Sequence, residues 1–171
     1  MRPPSPQFRS LARVALALYL VWLGSATLSP APGVMDATSP AGIRVNLVPL
    51  DSIRGLLALG PTWPAVRLLA GNVAVFIPFG LLAPVAWTRI RDFRPTLLAG
   101  LGLSLCIECV QLGLSVHLGH TYRVAEVDDV LLNVSGVVLG WATMRGGLRI
   151  RPVVASPPPG CYPRREPRTP G

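Results

Sequence analysis

Apolar residues along this chain fall in four long runs, at roughly Leu11–Leu28, Val66–Trp87, Pro95–Val116 and Val127–Met144. Each is long enough to cross a hydrocarbon layer about 30 Å thick as a helix. The interruptions carry as much information as the runs. In the third run Ser104, Glu108, Gln111 and Ser115 recur at i, i+4, i+7 and i+11, which predicts one polar stripe on an apolar helix. In the fourth, Asp129, Asn133, Gly136 and Gly140 share a face. Gly136 and Gly140 form a G-x-x-x-G that lets another helix approach closely, and the third helix is the expected neighbour. The second run holds Asn72, and Pro78 is expected to bend it.

Composition turns these runs into a class. Half of the 171 residues are hydrophobic and 14% are charged, too few for the surface of a soluble domain. The expected fold is an all-α, polytopic membrane bundle of four helices over 11–145. A short N-terminus, 1–10, precedes it. A basic, Pro-rich tail, 146–171, follows and is expected to be disordered. No repeat of 20–50 residues appears.

Charge then orients the bundle. All sixteen basic residues are arginine. Twelve lie before or at the start of the first run, between the second and third, or after the fourth, and four lie in the other two connections or at the start of the second run. The positive-inside rule places both termini and the 89–94 link in the cytoplasm. Arginines grouped beside apolar runs point to membrane lipids as partners and away from nucleic acid. The first run, with small residues after it, also has the outline of a signal peptide, but its length favours a retained helix. Cys106 and Cys109 read as small apolar packing residues rather than a redox pair.

Depth singles out Glu108. An ionisable group inside a bilayer costs a few kcal/mol and needs a partner or a task. On the predicted orientation Glu108 lies roughly 12 Å, and Gln111 roughly 7 Å, below the outer surface. Asp129 starts the fourth run at that surface, with Asn133 about 6 Å deeper. Asp128 points about 100° away from Asp129. Glu108, Gln111, Arg123, Asp128, Asp129 and Asn133 are therefore the candidate catalytic residues of an outward-facing pocket. Asn46, Pro49, Asn72, Pro78 and Ser104 are candidates to line it. The connection of about 36 residues before the second run contains Asp51, expected to cap a short helical segment reaching Leu59. His117 and His120 are spaced for a metal but lack a clear third ligand, and neither a nucleotide loop nor a cofactor motif is present.

In this order, Asn46-x-x-Pro49, Asn72 with Phe76-Ile77-Pro78-Phe79-Gly80, Ser104-x-x-x-Glu108-x-x-Gln111, and Arg123 through Asp129 with Asn133-x-x-Gly136 resemble the VanZ-like family of small bacterial membrane proteins. Glu126 departs from the aspartate expected there. The resemblance spans roughly 45–140 and implies a role in the cell envelope. The family's namesake is associated with resistance to the glycopeptide teicoplanin, so a link to glycopeptide susceptibility is part of that implication. Two functions fit the residues. One is an enzyme acting on a lipid-linked or phospholipid head group, with Arg123 on phosphate, Glu108 or Asp129 as acid or base, and Gln111 and Asn133 as orienting groups. The other is a non-catalytic protein that binds an amphiphile or a partner protein. A transporter ranks third, and oligomeric state is open.

Overall fold

In the computed structural model the described residues are 5–29, 44–58, 60, 62–119, 121 and 123–147. The C-terminal tail, Leu59 and His120 lie outside them, and with them the expectations for tail disorder and for the histidine pair. Four helices are long and apolar enough to span a bilayer, and the protein is a multi-pass, all-α membrane bundle. They are α1 (Pro6–Thr27), α3 (Trp63–Ala86), α4 (Phe93–Leu118) and α5 (Val127–Gly147). A short amphipathic helix, α2 (Asp51–Ala58), precedes α3.

Local chemistry sets the helix ends. Ser5 accepts the Phe8 N–H at 3.4 Å and Pro6 follows in the first turn, so α1 begins with a capping hydroxyl and a preset φ. At the other end of α4, Gly119 adopts φ 71°, a left-handed conformation that costs glycine nothing and returns its N–H to Val116. α3 stays helical through Pro78 and Pro84. A proline removes a backbone donor, and Tyr19 of α1 donates its hydroxyl to the nearby Val75 carbonyl at 2.8 Å.

Packing follows the small residues. α1 buries Ala12, Leu16, Tyr19 and Leu23, spaced at i, i+4, i+7 and i+11, in a cluster with Phe76, Phe79 and Ala83 of α3. Its other faces show Leu11, Val14, Leu18 and Val21, which lipid accommodates as readily as protein. The tightest seam joins α3 to α5. A Cβ on Gly136 would overlap the Val73 carbonyl, one on Gly140 the Ile77 carbonyl, and one on Gly80 the Val137 carbonyl. The G-x-x-x-G therefore receives α3, and not α4 as its phase alone suggested. The reason is Gly80, which makes the contact bare on both sides. α4 reaches α5 differently: the Val137 side chain sits on Gly100.

The starts of α1 and α4 and the ends of α3 and α5 gather at one end of the bundle. Arg13 Nε donates to the Ala86 carbonyl, the Trp141 indole to the Arg91 carbonyl, and Arg145 lies over the Trp141 ring. This is the arginine end. The opposite, loop end carries α2 and two short strands, β1 (Val45–Asn46) and β2 (Ala125–Glu126). They pair in parallel, Val45 with Ala125 and Asn46 with Glu126.

Candidate functional site

At the loop end the polar residues divide between two tasks. The first group holds the frame. Asp128 is 2% exposed, and its two carboxylate oxygens accept the N–H groups of Leu50 (2.6 Å) and Ile53 (3.1 Å). Free N–H groups at a helix start favour an anion, so Asp128 of α5 anchors the N-terminus of α2. The sequence points to Asp51 for that duty. Asp51 instead accepts from Asn46 at 3.4 Å, and the buried carboxylate comes from Asp128, 75 positions beyond Ile53. Leu50 takes φ 66°, a left-handed conformation unusual for a branched side chain, at the residue whose N–H meets Asp128.

Asn46 organises the same turn. Its side-chain oxygen accepts from Val48 and its amide donates to Ser52 at 3.1 Å, while Pro49 sits exposed at the bend. Gln111, 4% exposed, donates to the Thr27 carbonyl at 2.8 Å, and Arg123 Nε donates to Ser29 at 3.4 Å. These two bonds tie down the C-terminal end of α1, whose last carbonyls lack helical donors. Ser115 donates to the Gln111 carbonyl within α4 and, at 3.4 Å, to the Arg123 carbonyl, which holds the Arg123 backbone against the helix. Deeper in the bundle, the Asn133 amide donates to Ser104 at 3.0 Å, both side chains buried. Asn133 therefore pairs with Ser104 rather than with Glu108.

The second group is gathered but less enclosed. Glu108 is half-buried on α4 and accepts the backbone N–H of Glu126 at 3.2 Å, which fixes β2 beside the helix. Asp129, also half-buried, accepts the Asn72 amide of α3. Glu108 and Asp129 lie within electrostatic reach of each other, of Glu126 and of Arg123. Three carboxylates and one guanidinium thus share the space between α3, α4, α5 and β2. Pro78, by contrast, lies within α3 as a backbone feature.

Beside Glu108 an apolar groove of about 200 Å³ runs between α4, α5 and the strand pair. Leu105, Glu108, Cys109 and Leu112 form its α4 wall, Val127 and Val130 its α5 wall, and Val45 and Leu47 its roof. No local pattern in the sequence marks the groove, because its roof exists only through the pairing of β1 with β2. Cys106 and Cys109 are exposed on the outer surface of the bundle and not packed inside it, which corrects the packing role expected of them. Among the described residues, no group of three His, Cys, Asp or Glu side chains is arranged to hold a metal ion.

Comparison with known proteins gives one match. A family model described as VanZ/LLP1 matches residues 14–149. No curated protein and no solved structure matches. The matched stretch begins within α1, ends just after α5, and includes every polar residue described at the loop end.

Proposed function

The chain belongs to the VanZ/LLP1 family, and from that premise we propose that its loop end acts on the head group of a lipid or lipid-linked molecule in the outer leaflet of the bacterial cytoplasmic membrane. The observation that carries the reading is the junction of a charged cluster with an apolar groove: Glu108 belongs to both. A soluble substrate has no use for such a groove on the lipid-facing side of a span, whereas an amphiphile needs an apolar channel for its chain and a polar end for its head.

In this reading the chain of the lipid lies along Leu105, Cys109, Leu112, Val127 and Val130. Its phosphate meets the Arg123 guanidinium, whose planar fork of donors suits phosphate oxygens. Glu108 passes a proton to or from the reacting oxygen, and Asp129, steadied by Asn72, is the second acid–base group. Gln111, Asn133, Ser104 and Asp128 hold the frame, since each is engaged within the protein. The envelope role extends to glycopeptide susceptibility, with teicoplanin sensitivity of an expressing strain as its physiological readout. The test offers radiolabelled phospholipids and undecaprenyl-linked substrates to the purified chain in proteoliposomes. Turnover by wild type that Glu108→Gln lacks supports the reading, and absence of any turnover above the variant rejects it.

A second reading is favoured by the number of polar groups already spent inside the fold. With Gln111, Asn133 and Asp128 engaged, the same pocket suits a non-catalytic protein that binds an amphiphile or partner protein. It predicts that Glu108→Gln keeps its co-purifying lipids and its phenotype, whereas Arg123→Ala loses both. Mass spectrometry of the lipids carried by each variant separates the readings.

A further inference from the structure

The arginine end holds a cavity of about 380 Å³, remote from Glu108, lined by Arg9, Arg13, Trp87, Thr88, Arg89 and Ile90. Three guanidinium groups line it, and no carboxylate does. Arg9 and Arg13 are one helical turn apart on α1, so both project from the same face. Arg13 is anchored through its bond to the Ala86 carbonyl at 3.2 Å. Arg9 is not anchored in that way. Its Nε is shielded from solvent and meets no hydrogen-bond acceptor among the described residues. A buried charged donor without an acceptor is costly, and native proteins rarely keep one.

Helix direction sharpens the imbalance. The cavity lies beside the first turns of α1, where the helix dipole adds partial positive charge and no acidic residue offsets it. An anion would satisfy the Arg9 donor, the clustered guanidiniums and the helix terminus together. Surroundings indicate which anion. Phe8 and Leu11 flank Arg9 on α1 and are mostly exposed, and Trp87 stands half-exposed at the rim. Trp is enriched where hydrocarbon meets head groups. An anion bound here would thus have apolar surface directly beneath it, where acyl chains can lie.

We propose that this cavity binds the phosphate of an anionic phospholipid from the leaflet at the arginine end, with its acyl chains against α1 and α3. It is a structural lipid site separate from the loop end. Arg9 supplies the enclosed donor, Arg13 the anchored charge and Arg89 the exposed arm at the mouth.

The test is native mass spectrometry of the full chain released from nanodiscs containing equal phosphatidylcholine and phosphatidylglycerol. Wild type should retain phosphatidylglycerol in preference. Arg9→Gln/Arg89→Gln should lower that preference about twenty-five-fold, since each arginine near anionic lipid contributes on the order of a fivefold gain. Arg67→Gln, an exposed arginine at the opposite end of α3, should leave it unchanged. Should the double variant not fold, Arg89→Gln alone, an exposed position, should still lower the preference several-fold. Retention of phosphatidylglycerol by the variants at the wild-type level overturns the proposal. So does displacement of the lipid by millimolar glycerol phosphate, which would assign the cavity to a soluble anion.

Discussion

The α3–α5 seam and the loop end are built from the same two spans, yet they obey different rules. At the seam Gly80, Gly136 and Gly140 bring two backbones together with almost no chemistry. At the loop end α5 opens with Asp128 and Asp129, adjacent acids with opposite fates. Asp128 is enclosed and accepts two N–H groups, whereas Asp129 stays half-buried among the charges of Glu108, Glu126 and Arg123. A seam of glycines fixes where α5 sits. Once it is fixed, a single step of 100° along the helix separates a structural acid from a candidate reactive one.

The comparison breaks first at the seam. Gly136→Leu must push a branched side chain into the Val73 carbonyl, and should cost about 3 kcal/mol or more, enough to prevent folding. Recovery of folded protein by size-exclusion chromatography checks this, with Gly102→Leu, where a Cβ meets nothing, as the tolerated control. Next comes the acid pair. Asp128→Ala should destabilise by about 3 kcal/mol through loss of two bonds to a charged acceptor and should release the 44–58 segment to limited proteolysis. Asp129→Asn should stay within about 1 kcal/mol of wild type in thermal unfolding, because its amide still accepts from Asn72.

Smaller effects sharpen the boundary between frame and site. Ser104→Ala strands the buried Asn133 amide and should cost about 1 kcal/mol, a loss that Ser104→Ala/Asn133→Leu should partly recover in the same melt. Tyr19→Phe removes one bond to α3 and should cost about 0.6 kcal/mol, the usual scale for hydrogen bonds between membrane helices.

What the sequence made legible follows from the range of the forces involved. Hydropathy reports the lipid environment residue by residue, so all four spans were readable from their apolar runs. Helical phase is equally local, and Ser104, Gln111 and Ser115 are indeed all buried on one stripe of α4. Partner choice is not local. Ser104 turns to Asn133, Glu108 to the backbone of Glu126, and Gln111 to the end of α1, so one stripe serves three neighbours. The G-x-x-x-G was visible, but its partner depended on Gly80, which phase on α5 cannot reveal. The two-residue strands, and with them the groove roof, have no periodicity to read and arise only from pairing across 80 positions. The same holds for Asp128 on α2, where a cap is recognised in sequence only when it sits next to its helix.

Glu108 is where the two kinds of region meet, as it holds β2 in place and faces the groove. The most direct measurement is head-group turnover in proteoliposomes by wild type, Glu108→Gln and Asp129→Asn, each matched for folded protein by thermal unfolding. An acid–base role for Glu108 predicts unfolding within about 1 kcal/mol of wild type for both variants, with turnover by Glu108→Gln reduced by about a hundredfold or more. Turnover by Glu108→Gln equal to wild type, in folded protein, would contradict it.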